Sequence, residues 1–279
     1  MQPDRYAVLG NPVAHSKSPF IHARFAEQTG QAIDYGRVLC PLDGFVPAVN
    51  QFVAEGGRGC NITVPFKLQA PALATQVSER AALAGAANVL RFDAGGWSAD
   101  NTDGVGLIRD IQQGAGFSLA GRSVLLVGAG GAGAGVLGPL LQARPQRVVL
   151  ANRTRATAEA LAQRHAGLAH ANGCELSASG LDEAGTGFQL LINASASSLQ
   201  GAGSPVAAST LAPGALVVDL MYGPAAEPFL AWAREHGAHT RDGLGMLVEQ
   251  AAEAFLFWRG VRPETAPVLR ALRAELAKG

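Results

Sequence analysis

The chain has 279 residues, enough for two domains, and its lysine plus arginine count equals its aspartate plus glutamate count at 22 each. This balance excludes the basic surface that nucleic acid or anionic lipid requires, and no stretch approaches the roughly 18 uninterrupted apolar residues of a membrane span. Three cysteines without CxxC spacing argue against a disulfide framework or a metal site and, with no signal pattern at the N-terminus, favour the reducing cytoplasm.

The first hundred residues alternate between strand-like and helix-like segments. The pattern predicts strands over 6–9, 34–39 and 59–64, and helices over 19–28 and 43–54. Ser18 is suited to cap the first of these helices, and Pro19 to its first turn. A hairpin with a glycine turn is predicted over 88–100. Strand–helix alternation predicts an α/β domain with a mainly parallel sheet.

Polar side chains gather near the end of the strand over 59–64. Asn61 and Thr63 interrupt its apolar pattern, Pro65 stops it, and Lys67 follows. Ligands of α/β proteins are usually held at the carboxyl ends of strands, where an amine can exchange a proton with a substrate oxygen. The ordinary alternative is a solvated lysine that begins a loop. Further along, Asp103 is placed to pair with such an amine, or to cap the helix that follows it.

Four other polar residues have ordinary explanations when each is taken alone. Ser16 and Ser18 suit a capping segment, Asn88 suits a turn, and Gln250 is an isolated amide on an apolar helix, which needs partners if it is buried. Together they describe neutral hydrogen-bonding groups around a Lys–Asp pair. Such a set suits a small polyhydroxylated substrate.

A second unit is predicted to begin near Gly104. Continuous apolar runs predict buried strands over 123–127, 147–151, 189–193 and 215–220. The last stretch, 243–278, reads as two helices divided near Arg262-Pro263, and the first of them is apolar nearly all round. We therefore predict a substrate-binding and catalytic domain of residues 1–103 plus 244–279, and a second domain of residues 104–243.

A glycine-rich segment follows the strand over 123–127 and begins a helical pattern. It consists of Gly128, Ala129, Gly130, Gly131, Ala132 and Gly133. This matches G-x-G-x-x-G between strand and helix, the fingerprint of a Rossmann-like doubly wound dinucleotide-binding domain. A simple glycine-rich turn is the alternative in a chain with 35 glycines.

The strand over 147–151 indicates which dinucleotide would bind. NAD sites place Asp or Glu at its end to hold the ribose hydroxyls. This chain has Asn152, Arg153, Thr154 and Arg155 there. Two arginines, an amide and a hydroxyl suit a 2′-phosphate, which favours NADP. Asn152 or Thr154 could instead cap the next helix.

These motifs together resemble the shikimate dehydrogenase family over nearly the whole chain. The matching segments are 10–19, 61–67, 85–88, 100–104, 128–133, 152–154, 219–222 and 242–250. The resemblance implies NADPH-dependent, reversible reduction of 3-dehydroshikimate to shikimate in aromatic amino acid (chorismate) biosynthesis. It also implies that Lys67 and Asp103 form the catalytic pair.

The resemblance assigns further residues. Contacts to the shikimate hydroxyls and carboxylate are expected from Ser16, Ser18, Asn61, Thr63, Asn88, Tyr222 and Gln250. Leu220 and Gly243 are expected along the nicotinamide, and Glu79 near the coenzyme. The alternatives are a quinate/shikimate dehydrogenase that uses NAD or NADP, and a catalytically silent NADP-binding regulator. Monomer and homodimer both stay open.

Overall fold

A computed structural model describes residues 2–195 and 204–278 of the chain. It divides into two compact units, each described by itself below. Unit 1 comprises Met1–Gly106 and Val248–Gly279, and unit 2 comprises Leu107–Leu247.

The sheet of unit 1 is mixed. In the described part its strand order is β2-β1-β3-β5-β6-β4. The strands are β1 (Asp4–Gly10), β2 (Ile33–Leu39), β3 (Gly57–Ile62), β4 (Gln76–Val77), β5 (Val89–Asp93) and β6 (Gly96–Asp100). β1 runs parallel to β2 and β3, whereas β5 is antiparallel to β3 and to β6. The predicted hairpin is β5–β6.

The helices α1 (Ser18–Thr29), α2 (Phe45–Ala54) and α3 (Glu79–Ala84) belong to this part of unit 1. The core includes Phe45 of α2 and Phe66, whose rings stack with centroids 4.7 Å apart. Phe66 begins the short 3₁₀ helix Phe66–Leu68. Its burial therefore anchors the turn that carries Lys67.

The strand predicted over 59–64 was placed too far along the chain. β3 ends at Ile62, because the chain turns over residues 63–66, where the Phe66 N–H donates to the Thr63 carbonyl at 3.1 Å. Lys67 therefore lies in a 3₁₀ turn beyond the strand and not directly at its end.

The sheet of unit 2 is parallel throughout its described strands. These are β7 (Ser123–Val127), β8 (Arg147–Ala151), β9 (Glu175–Ser179), β10 (Phe188–Asn193), β11 (Leu211–Asp219) and β12 (His239–Arg241). Their order is β12-β11-β10-β7-β8-β9. Read in reverse this is the doubly wound order 3-2-1-4-5-6, whose switch point lies between β7 and β10.

Helix α4 (Asp103–Arg109) continues as a π-helical turn, Asp110–Gly114. It is followed along the chain by α5 (Gly131–Gln142), α6 (Arg155–Ala171) and α7 (Glu227–Glu235). The sequence did not predict β9 or β12. Both are edge strands, and β12 has only 3 residues, so neither carries the apolar run of a central strand.

The chain ends in α8 (Leu244–Arg259) and α9 (Thr265–Leu276), as the break near Arg262-Pro263 predicted. Residues from Val248 onward belong to unit 1. The indole Nε1 of Trp258 donates to the Leu90 carbonyl at 2.9 Å, which ties α8 to the sheet. A Cβ at Gly59 would lie 2.6 Å from that Nε1, so only glycine allows this close approach.

Within the described residues, no helix combines the length and apolar character that crossing a membrane requires.

Candidate active site

A buried ion pair lies at the centre of the polar residues in unit 1. The Lys67 Nζ and Asp103 Oδ2 atoms are 2.6 Å apart. The two side chains are only 16% and 5% exposed. The lysine that could have been a solvated loop residue is therefore held by a carboxylate. An ammonium group has three donor hydrogens, and Asp103 accepts one of them.

Asn101, and not Asp103, binds the first backbone N–H of α4. Asp103 is the first residue of α4, but its backbone N–H is bound by the Asn101 side chain, whose Oδ1 lies 3.2 Å away. The Asn101 amide also donates to the Ala86 carbonyl at 2.9 Å. Asn101 thus holds the start of the helix, and the Asp103 carboxylate is used for side-chain contacts.

Asn88 connects the ion pair to neighbouring polar groups. Its Nδ2 lies 2.9 Å from Asp103 Oδ1, 2.9 Å from Thr102 Oγ1 and 3.1 Å from Gln250 Oε1. Its Oδ1 accepts from the Thr102 backbone N–H at 2.8 Å. Each oxygen of Asp103 therefore holds one predicted site residue, Lys67 on one side and Asn88 on the other. The amide of Gln250, unusual on an apolar helix, has its partner here.

The segment that delivers Asp103 is fixed from its other end by Asp100. This carboxylate is buried and accepts from Arg80 Nε at 2.7 Å and from Ser78 Oγ at 2.5 Å, and Arg80 Nη2 binds its second oxygen. Arg80 also lies 3.6 Å from Glu253 on α8. A buried carboxylate with a cation and further donors is a rigid anchor, because separating the charges would leave one of them unpaired.

Asn61 and Thr63 take different positions. Asn61 is buried, accepts from the Tyr35 hydroxyl at 2.7 Å and donates through Nδ2 to the Asn88 carbonyl at 3.2 Å. Thr63 follows β3, and its methyl group packs so closely on Gly10 that a Cβ at Gly10 would lie 2.2 Å from it. The absence of a side chain at Gly10 is thus required by the position of Thr63.

The predicted cap of α1 is wrong. Ser18 is the first residue of the helix, the cap position is Lys17, and no side chain caps it. The Ser16 Oγ accepts from the Ser18 backbone N–H at 3.3 Å and lies 3.2 Å from the Ser18 Oγ. Arg37 holds this loop through the Ser16 carbonyl at 2.6 Å. Two adjacent hydroxyls are thereby fixed on unit 1.

In unit 2, the glycine segment forms the turn between β7 and α5. Gly128 has a φ of +105°, which only glycine adopts readily. A Cβ at Gly133 would lie 1.9 Å from the Gly128 carbonyl oxygen, so this glycine allows close packing of the helix. A Cβ at Gly130 would meet no described protein atom within 4 Å. Protein packing does not require a glycine there, whereas approach of a pyrophosphate to the backbone does.

The turn after β8 divides its predicted phosphate-binding residues. Asn152 Oδ1 accepts from the Ala129 N–H at 3.2 Å, which ties this turn to the glycine segment. Thr154 is at the cap position of α6, but its side chain makes no capping bond. Arg155 lies 2.8 Å from Glu159 and 2.9 Å from Glu183. Through the described ranges Arg153 has no such ion pair.

The remaining predicted contacts lie in both units. The Gly243 N–H donates to the Met221 carbonyl at 2.8 Å, and a Cβ at Gly243 would lie 2.1 Å from the Leu220 carbonyl oxygen. The structure therefore brings Leu220 and Gly243 together beyond β11 and β12. Tyr222 also belongs to unit 2, whereas Glu79 is an exposed residue at the start of α3 in unit 1.

Residues without a predicted role also contribute to the site. Asn101 and Thr102 lie inside the segment 100–104 that the sequence singled out, so their position was a usable signal. Arg80 and Tyr35 had no such signal. Tyr35 contacts Asn61 and Arg80 contacts Asp100 through pairings that only the folded chain creates.

Three family models match the chain. The shikimate dehydrogenase substrate binding domain matches residues 8–90, the shikimate / quinate 5-dehydrogenase model matches 110–200, and the shikimate 5′-dehydrogenase C-terminal domain matches 243–273. The first range contains Lys67 and Asn88, the second contains Asn152, and the third contains Gln250. Asp103 lies between the first and second ranges.

Individual relatives match over almost their full length. The shikimate dehydrogenase (NADP(+)) of Acidovorax sp. (strain JS42) is 64% identical over 276 residues, which are 99% of this chain and 98% of that protein. An Ael1 enzyme from Pseudomonas putida is 48% identical with a TM-score of 0.85, over 96% of this chain and 98% of that one. The shikimate 5-dehydrogenase of Thermus thermophilus, solved with NADP(H) and shikimate, is 34% identical with a TM-score of 0.84, over 98% and 99% of the two chains.

Proposed function

The chain belongs to the shikimate dehydrogenase family, and we propose that it catalyses the reversible, NADP-dependent interconversion of 3-dehydroshikimate and shikimate. The observation that carries the proposed chemistry is the Asp103 carboxylate, which binds Lys67 through one oxygen and Asn88 through the other. A proton-exchanging amine and a hydrogen-bonding amide are thereby held rigidly side by side. Reduction of a ketone needs a positioned proton donor beside the reacting oxygen, and Lys67 is such a group.

The proposed substrate has a carboxylate, a ketone and hydroxyls, all of which need hydrogen-bonding partners. In unit 1, Ser16, Ser18, Asn61, Thr63, Asn88 and Gln250 supply neutral donors and acceptors, and the family resemblance adds Tyr222 as a substrate contact. Neutral groups suit hydroxyls because they can donate and accept. The side-chain network of Asn88, Thr102 and Gln250 fixes the direction of each amide before a ligand arrives. Such preorganisation lowers the ordering cost of binding.

The residues of unit 2 fit the coenzyme. Gly128–Gly133 would hold the pyrophosphate on the first amides of α5, as the open surroundings of Gly130 allow. We assign the 2′-phosphate mainly to Arg153, because Glu159 and Glu183 already neutralise Arg155. We place Leu220 and Gly243 along the nicotinamide. When bound, the nicotinamide supplies the hydride for reduction and accepts it for oxidation.

The protein's own contribution is the proton. In the reducing direction Lys67 Nζ donates a proton to the oxygen that becomes the C3 hydroxyl, and in the oxidising direction it accepts that proton. Asp103 orients Lys67 and accepts a hydrogen bond from the adjacent substrate hydroxyl. The low exposure of both side chains keeps water from competing for these bonds.

Steady-state rates measured by NADPH absorbance at 340 nm test the proposal. Lys67→Met should lower kcat by about 10²- to 10⁴-fold with a small change in the KM for shikimate, because the proton transfer is lost and most binding contacts stay. The chain has three lysines, which offers Lys278→Met as a matched control at an exposed position. A Lys67→Met enzyme with the wild-type kcat would refute the assignment.

The same assay separates the alternative functions. Shikimate and quinate are each offered with NADP and with NAD. Turnover of shikimate with NADP at the highest kcat/KM supports the proposal, and a higher value with quinate would identify a quinate dehydrogenase. Wild-type protein that binds NADPH but turns over neither substrate would be a coenzyme-binding regulator.

A further inference from the structure

Tyr35 lies beside the substrate residues of unit 1 but is not one of the predicted contacts. It stands in the middle of β2, and its hydroxyl donates to Asn61 Oδ1 at 2.7 Å. Asn61 in turn donates through Nδ2 to the Asn88 carbonyl at 3.2 Å. The Asn61 amide is thus held at both ends, by a donor on its oxygen and an acceptor on its nitrogen.

This double restraint determines which atoms of the amide a ligand would meet. An asparagine side chain can rotate by half a turn and exchange its oxygen and nitrogen. Here the turned orientation would set two oxygens, those of the amide and the Asn88 carbonyl, against each other, and would bring the NH₂ group to the Tyr35 hydroxyl. Only one of the two Nδ2 hydrogens is used by the Asn88 carbonyl. The other is therefore kept as a donor.

The Tyr35 ring is itself rigidly placed. The His22 ring stacks on it with centroids 4.2 Å apart and an interplanar angle of 10°. Burial raises the pKa of the Tyr35 phenol well above 10, so the hydroxyl keeps its proton and acts as a donor at every working pH. A fixed ring with a permanent donor is suited to orient a neighbouring amide.

We propose that Tyr35 is a positioning residue for substrate binding, which holds the Asn61 amide in the orientation that receives a polar group of the substrate. The inference rests on the proposed function of the same site. Tyr35 acts through Asn61 and takes no part in the proton transfer. Its loss should therefore weaken the binding of the substrate equally in the ground state and in the transition state.

The test is Tyr35→Phe, with Tyr6→Phe as the matched control. The two tyrosines are register partners on the neighbouring strands β1 and β2, but the Tyr6 hydroxyl lies 3.4 Å from Arg259 Nη1 instead of a site residue. Tyr35→Phe should raise the KM for shikimate about tenfold, the size expected when one buried hydrogen bond is lost, and leave kcat and the KM for NADP within about twofold. Tyr6→Phe should leave all three within about twofold.

A second background separates positioning from a direct contact or a general structural defect. In Asn61→Ala protein, Tyr35→Phe should raise the dissociation constant of shikimate, measured by titration calorimetry, by less than about threefold, because the amide it orients is gone. An additional tenfold loss in that background, or a wild-type KM in Tyr35→Phe alone, would overturn the inference. Wild-type turnover of shikimate with NADP is measured first, so failure of the proposed function is seen before either variant is compared.

Discussion

The buried imidazole of His22 predicts a specific loss of stability in mild acid. The residue is 0% exposed, and in the described structure neither ring nitrogen has a hydrogen-bond partner. Burial lowers its pKa from 6.5 to about 3, and the nearby Asn61 amide offsets only part of this effect. Below pH 6.5 the unfolded chain therefore binds a proton that the folded chain refuses. The free energy of unfolding falls as pH drops through 6.5 and levels off near the folded-state pKa.

The magnitude follows from the size of the shift. One pKa unit corresponds to about 1.36 kcal/mol, so His22 alone should cost about 2 kcal/mol of stability between pH 7.5 and pH 5. Its ring neighbours include Tyr35 at 4.2 Å, Trp258 at 5.3 Å and Phe25 at 5.9 Å between centroids, and none of these three carries a negative charge that could pair with an imidazolium. A fully protonated ring inside this cluster would be an unpaired buried cation.

Urea unfolding of wild type and His22→Phe at pH 5 and pH 7.5, followed by tryptophan fluorescence, measures the effect. Phenylalanine suits the aromatic surroundings and does not titrate. The stability difference between the two pH values should be about 2 kcal/mol smaller in His22→Phe than in wild type. His170→Asn, at an exposed position, should keep the wild-type difference. Burial also lowers the pKa of His165, but this residue is present in both proteins and its contribution cancels. An equal difference in wild type and His22→Phe would refute the reasoning.

Two matched pairs in unit 2 give further predictions. Gly133→Ala should lower the urea midpoint and raise the KM for NADPH by more than about tenfold, because its Cβ would lie 1.9 Å from the Gly128 carbonyl oxygen. Gly130→Ala should keep the wild-type urea midpoint, since its Cβ meets no described atom within 4 Å, and should still weaken the binding of NADPH. Equal urea midpoints for the two variants would contradict the packing argument. Arg153→Gln should raise the KM for NADPH about tenfold or more and leave that for NADH unchanged, whereas Arg155→Gln, whose guanidinium is already paired, should have a smaller effect; the reverse order would show that the carboxylates do not neutralise Arg155.

The parts of the fold that the sequence predicted well are those where burial alone decides the residue types. β7 and β8 are parallel strands buried on both faces, and their uninterrupted apolar runs were predicted with the observed bounds. β9 and β12 lie at the sheet edges, where one side of the strand is solvated. Their short sequences mix apolar and polar residues as loop sequences do, so they become recognisable as strands only from their pairing with the neighbouring strand.

The same distinction applies to the candidate site. Lys67, Asp103 and Asn88 were recognisable because their residue types stand out in an apolar or turn-rich context and match a family pattern. Which atom bonds to which was not recognisable. Asn101, not Asp103, binds the first backbone N–H of α4, and Glu159 and Glu183 pair with Arg155. These pairings depend on distances of a few ångströms between segments. The sequence gives the order of those segments along the chain but not their positions in space.

Tyr6 and Tyr35 illustrate this limit most directly. They are partners in the parallel register of β1 and β2, and both are tyrosines within a strand pattern, so no local rule separates their roles. What separates them is the chain that packs over each ring. Tyr6 lies 4.7 Å from Trp258, and its hydroxyl faces Arg259, both contributed by α8. The Tyr35 hydroxyl instead donates to Asn61 on β3, and its ring stacks on His22 of α1. The contribution of a tyrosine hydroxyl to substrate binding is therefore decided by tertiary packing, and the Tyr35→Phe and Tyr6→Phe pair measures that difference with one chemical change at two sites.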